Sequence, residues 1–251
     1  MDDLQQILNS FTPVTLEEMD AVKLLNRVDT KFTFNKSQLL PLLNELRESY
    51  NVLDICGLRQ CRYKTLYFDT PDLRMYTLHH NGKLNRYKVR LRRYEDSGIN
   101  FFEIKFKDNK KRTIKKRISR KEFNDVITGK AERFLAETCP FTAELLKPAV
   151  MVYYRRITLV SKTFSERLTI DVGLTFEKEG RQKSFDPLCI VELKQDSSTR
   201  SPALALMRKF HIQDVSMSKY CFGIISLCEN VKKNNFKPKL KEINKICYET
   251  H

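Results

Sequence analysis

Glycine occurs 7 times and proline 8 times in 251 residues, too few for a collagen-like or low-complexity chain. Seven cysteines (Cys56, Cys61, Cys139, Cys189, Cys221, Cys228 and Cys247) are present, with no C-x-x-C pair. An odd number without that spacing argues against a zinc site and a disulfide framework, and fits a reducing cytosol. No apolar run approaches the roughly 20 residues that span a bilayer as a helix, and MDDLQQILNS lacks the basic-then-apolar layout of a signal peptide. Histidine is scarce: His79-His80 adjoins an Asn81-Gly82 turn and reads as exposed rather than metal-binding or catalytic. No Ser/His/Asp or Cys/His constellation stands out. What is abundant is positive charge, 46 Lys+Arg against 31 Asp+Glu for a formal +15, which favours polyanionic partners.

Helix signals are few. Thr15-x-x-Glu18 is a capping box that opens a helix to about Asn26, and Ser119-x-x-Glu122 predicts another that stops near Gly129. A helix follows Asn35, with Pro41 early in it or kinking it. Ser201-Pro202 starts a helix with proline at its first position, and Ser218 caps one through KYCFGIISLCEN. The chain divides into an N-terminal helical segment (1–26), a main domain (27–230) and a basic tail (231–251), read as loosely attached.

Eight strand-like runs lie between the helices: RVDTKFTF, RYKTLYFDT, RYKVRLRRY, NFFEIKFK, RTIKKRIS, VMVYYRRITLVS, RLTIDVGLTFE and LCIVELKQD. Side chains alternate across a strand, so Arg86, Lys88, Arg90 and Arg92 share one face against Tyr87, Val89 and Leu91. Four like charges in a row repel; either an anion lies against them or they face open water, and deleting them should relieve repulsion. Glu103 and Lys105 share a face, as do Glu192 and Lys194, and Arg167 and Asp171. Few aromatics accompany these cations, unlike a sheet that stacks nucleic-acid bases. Asp69 in YFDTPD reads as a turn or cap residue, and a plain cross-strand charge pair remains an alternative for Glu103 and Lys105. Two architectures suit the alternation: an open sheet with a basic solvent face, or a closed barrel with helices outside and charges inside.

The ordered set R-x-D-x-K-F, Y-F-D-T, V-R-L-R-R-Y, F-E-I-K, Y-Y-R, R-L-T-I-D, V-E-L-K and S-M-S-K-Y, from Arg27 to Tyr220, resembles the polyphosphate polymerase (VTC) domain of the triphosphate tunnel metalloenzymes. The resemblance implies an α+β fold, an eight-stranded antiparallel β tunnel with a basic interior and helices packed outside. It implies phosphate contacts or catalytic roles for Arg90, Arg92, Lys105, Arg155 and Lys219. Arg27, Lys31, Lys88, Arg167, Lys194 and Ser218 become further phosphate-binding residues, and Glu192 with Glu103 the ligands of a divalent metal (Mn2+ or Mg2+). Ser218 and Lys219 at a helix N-terminus also suit an anion on physical grounds. The implied activity is transfer of the terminal phosphate of ATP onto polyphosphate, with no specific nucleic acid partner, in the cytoplasm or at a membrane through a separate protein. Related cyclases and triphosphatases begin with Glu-x-Glu-x-Lys. Here Arg27-Val28-Asp29-Thr30-Lys31 puts an arginine in place of an acid, which favours polymerase over hydrolase or cyclase. A non-catalytic binder of polyphosphate or RNA is the remaining alternative.

Overall fold

The structure, a computed structural model, describes residues 3–21, 27–196, 200–215 and 217–248. Eleven strands form one sheet. They are β1 (Pro13–Val14), β2 (Arg27–Asn35), β3 (Tyr50–Leu53), β4 (Cys61–Asp69), β5 (Arg86–Tyr94) and β6 (Ile99–Lys107). There follow β7 (Thr113–Arg120), β8 (Lys147–Ser161), β9 (Glu166–Lys178), β10 (Arg181–Phe185) and β11 (Leu188–Asp196). The main path runs β2-β11-β9-β8-β4-β5-β6-β7, antiparallel at every step. Its eight members are the eight runs that the alternating pattern marked. The three short strands attach at its flanks: β1 pairs with β3, β3 with β8, and β10 with β9.

The helices are α1 (Asp3–Asn9), α2 (Leu16–Ala21), α3 (Leu39–Leu46), α4 (Arg74–His80), α5 (Lys130–Thr138), α6 (Pro202–Lys209), α7 (Lys219–Leu227) and α8 (Lys237–Tyr248). The Thr15 box forms as expected: the Thr15 amide donates to Glu18 and the Glu18 amide to Thr15 Oγ1. The helix it opens is described only to Ala21; residues 22–26 lie outside the described residues. Ser201 and Ser218 cap α6 and α7 by accepting from the amides of Leu204 and Cys221.

Apolar faces of the sheet bury against these helices. Leu8, Leu42, Leu43, Leu46, Ala203 and Met207 of α1, α3 and α6 close over Phe34, Ile157, Leu159, Leu168, Ile170 and Leu193. Ala131 and Leu135 of α5 cover Phe68, Val89, Leu91, Phe102 and Ile104. Helix α7 lies so close to β8 and β9 that a Cβ on Gly223 would meet Phe176 Cδ1 at 2.8 Å and Val150 Cγ2 at 2.9 Å.

Three expectations are corrected. Ser119 does not cap a helix: it pairs with Phe101 inside β7, and α5 begins only after Gly129, whose φ is +61°. A local capping box lost to a ladder with β6 that also buries part of Ile118. Residues 231–248 are not a loose tail, because α8 buries Ile243 and Ile246 and Asn35 Nδ2 donates to the Ile246 carbonyl. His80 is buried rather than exposed, and its Nε2 accepts from the Asn235 amide.

The sheet is strongly curved. Strands β5 and β9 stand three steps apart in the strand order, yet the adjacent residues Ser218 and Lys219 touch both. Lys88 Nζ of β5 lies 2.9 Å from Ser218 Oγ, and Lys219 Nζ lies 2.5 Å from Asp171 Oδ2 of β9. Among the described residues the edge strands β2 and β7 are not paired with each other.

Candidate functional site

Inside this curve the cations of the central strands converge on three buried or half-buried carboxylates. Arg90 places Nε and Nη2 2.6 Å from Glu103 Oε2, and Lys115 Nζ lies 2.5 Å from Glu103 Oε1. Arg92 Nη1 stands 4.0 Å away. Glu103 is fully enclosed, at 0% exposure, and Arg90 and Arg92 are buried at 7% and 8%. The arginines are therefore not on a solvent face. Burial pushes the Glu103 carboxyl up, but Arg90, Arg92 and Lys115 outweigh it and hold the group well below the usual carboxylate range.

The second carboxylate, Asp171, accepts two hydrogen bonds from Arg156 at 2.6 and 2.8 Å and one from Lys219. A two-pronged guanidinium–carboxylate contact fixes orientation as well as charge. The third, Glu192, is bracketed by Lys31 at 2.9 Å and Lys194 at 3.0 Å. Burial again raises its carboxyl, and the two lysines reverse the shift.

Aromatic rings stand among the cations, contrary to the sequence reading. Tyr63 stacks on Tyr154 at 5.1 Å, with the Arg92 and Arg156 guanidinium groups over its ring at 5.5 and 5.2 Å. Arg90 also donates to the Tyr67 hydroxyl at 3.1 Å. Burial would raise the Tyr67 phenol, but Arg90, Arg92 and Lys88 drive it below its ordinary value.

Lys105 is the least compensated of these cations. It pairs in register with Lys88 on one side and Lys115 on the other, and no salt bridge to it occurs among the described residues. The positive charge of Arg90, then burial and Arg92, lower its pKa to about 6, with Glu192 and Glu103 offsetting part of the shift.

This depressed value has a measurable consequence. A bound polyanion favours the protonated amine, so binding near pH 7.5 is expected to take up a proton at Lys105. Affinity should rise as pH falls toward about 6 and level off below it, changing by up to about tenfold per unit. Calorimetry in buffers of different ionisation enthalpy measures the uptake; Lys105→Gln should abolish this part of it.

Of the expected site residues, Lys31, Lys88, Arg90, Arg92, Lys105, Lys194, Ser218 and Lys219 lie on the concave face or at its mouth, with Glu103 and Glu192. Arg167 is half-buried on β9 opposite Lys194. The side chain of Arg27 lies outside the described residues. Arg155 is corrected: it is exposed and packs over Gly173, 3.7 Å from where a Cβ would stand, while its neighbour Arg156 reaches Asp171. Consecutive strand residues face opposite ways, and Ile157 and Leu159, apolar and in phase with Arg155, carry the signal that this phase points outward. A bulge at Gly173, φ +62°, shifts the β8–β9 register between Tyr153 and Arg155. Glu103 differs from Glu192 in access: it is 0% exposed and paired with Arg90 and Lys115, so in this fold it stands as their counter-ion. Lys115 was missed, since nothing in TIKKRIS distinguishes it from its neighbours.

The VTC domain model matches residues 26–228. The chain belongs to the VTC domain family. Among solved structures it is similar to the "putative adenylate cyclase" of Bacillus halodurans, at 15% identity and TM-score 0.50, covering 81% of this chain and 98% of that one. It is also similar to the "putative adenylyl cyclase" of Hippeastrum, for which a dominant triphosphatase activity is given, at 12% identity and TM-score 0.47 over 81% and 98% of the two chains. At such identities the likeness concerns the fold. No curated protein matches the chain in sequence. No described helix is long and apolar enough to cross a membrane.

A metal suits this VTC site in one way only. Among the described residues no three His, Cys, Asp or Glu side chains gather as a ligand set. Magnesium is often bound through one or two carboxylates with substrate phosphates and waters completing the shell. Glu192, ionised and with its side chain 25% exposed, meets that requirement.

Proposed function

We propose that this VTC domain is a metal-dependent polyphosphate polymerase that transfers the terminal phosphate of ATP onto a polyphosphate chain. The observation that carries the reading is the cation track of β5 and β6: Lys88, Arg90 and Arg92 run along one strand with Lys105 beside them, inside a curved sheet. Lys88 to Arg92 spans about 13 Å at roughly 3.3 Å per residue, more than a single phosphate needs and suited to an extended chain. The acceptor's terminal oxygen is already deprotonated. It attacks the γ-phosphorus, the bond from that phosphorus to the β–γ bridging oxygen breaks, and ADP leaves with the electron pair. No general base is required, in keeping with the absence of a catalytic triad from the sequence.

The chain's own residues supply alignment and charge, the main protein contributions to phosphoryl transfer. Arg90 and Arg92 hold phosphate oxygens, with Glu103 fixing Arg90. Asp171 fixes Arg156 and Lys219 in the same way, and Lys88 with Ser218 closes the α7 end. A divalent metal, manganese or magnesium, held by Glu192 would add Lewis-acid charge on phosphate oxygens. The test is incubation of the pure protein with ATP and manganese, followed by a polyphosphate gel. A ladder that disappears with exopolyphosphatase is expected; release of orthophosphate without a ladder would assign the site to hydrolysis instead.

A further inference from the structure

The cation track ends beside a planar surface that phosphate binding does not use. Arg117 of β7 stands directly across the ladder from Glu103, the fully enclosed carboxylate of the basin. It nevertheless makes no ion pair with it; Arg90 and Lys115 do. The Arg117 guanidinium lies 4.3 Å over the ring of Phe101, and the side chain is exposed. Phe101 packs edge-on against Tyr94 at 5.9 Å, and Tyr94 against Tyr63 at 5.0 Å. Phe101 is also the register partner of Arg92, so the stack begins where the proposed phosphate contacts stop.

A guanidinium that forgoes a carboxylate to lie on a ring leaves its outer plane and in-plane N–H groups available. Arginine planes and aromatic rings are the surfaces on which proteins stack unpaired bases, and such stacks grip any base because every base has a π-face. We infer that Arg117 and Phe101 form the platform for the nucleobase of the triphosphate donor. The base rests at the mouth on the Arg117 plane while its phosphates enter past Arg92. Such a platform grips adenine and guanine alike, because every base has a π-face. This inference rests on the proposed function for the place of the phosphates.

The test compares ATP, GTP and inorganic tripolyphosphate as ligands, by calorimetry near physiological ionic strength, for the wild-type chain, Arg117→Lys and Phe101→Leu. Arg117→Lys keeps the charge and removes the plane; Phe101→Leu keeps the apolar bulk. Both variants are expected to weaken ATP and GTP by about five- to tenfold and to leave tripolyphosphate within about twofold. Equal losses for all three ligands in Phe101→Leu, or no loss for the nucleotides, would overturn the platform while leaving the tunnel reading intact. So would a loss in Arg117→Ala that lysine restores, which would make Arg117 a phosphate contact. Failure of the wild-type chain to bind any of the three would remove both readings together.

Discussion

Replacing Arg90 by alanine is expected to lower the melting temperature by roughly 10 °C as well as to weaken polyphosphate binding. The pattern of four like charges on one strand suggests the reverse, since removing a cation from a repelling row relieves it. Glu103 reverses the sign. It is fully buried and takes its principal contacts from Arg90 and Lys115, so losing Arg90 strands a carboxylate in a low-dielectric site. Breaking a buried pair by removing one partner costs about 3–5 kcal/mol; the surviving Lys115 and the more distant Arg92 place this case at the lower end. Arg90→Ala with Glu103→Gln should recover much of the lost stability and none of the binding. Thermal melts of the single and double variants, beside polyphosphate titrations, check both halves. An unchanged melting temperature in the single variant would mean that Glu103 does not depend on Arg90.

Glu192→Gln should divide metal-dependent turnover from binding. The carboxylate sits between Lys31 and Lys194, and removing its charge leaves both lysines to an incoming anion. Polyphosphate should therefore bind at least as tightly as to the wild-type chain. Metal-assisted charge stabilisation is worth several kcal/mol, so polymer formation with manganese is expected to fall at least about 100-fold. Parallel loss of binding and turnover would make Glu192 a structural partner of its two lysines. Its two salt bridges are only partly buried, so the melting temperature should fall, but by less than in Arg90→Ala.

Much of the frame was legible in the chain because it depends on short-range rules. Alternation with period two marked all eight strands of the main path. The cap residues Thr15, Ser201 and Ser218 stand where they were expected because a helix start needs an acceptor within three residues and little else. The failures share a cause. Ser119 has the same local credentials as Thr15, but a strand partner claimed it, and ladder pairing is invisible in a single sequence. His80 looked like a turn residue until α8 and the loop before it brought Asn235 against it. Arg155 and Arg156 are adjacent and chemically identical, and only the phase of the apolar residues beyond them, together with the bulge opposite, decides which one enters the basin.

The sequence by itself determined the alternating apolar and charged faces, the helix starts and the excess of positive charge, because each follows from residues near one another in the chain. Only the tertiary structure decided which charges meet. Glu103 belongs to Arg90 and Lys115, Asp171 to Arg156 and Lys219, and Arg117 to a ring instead of the carboxylate across from it. These choices are made between strands that are remote in the chain or folded over one another, at distances of a few ångströms. Electrostatic energy in a buried site falls steeply over those distances, so the pairing that sets the chemistry had to wait for the fold.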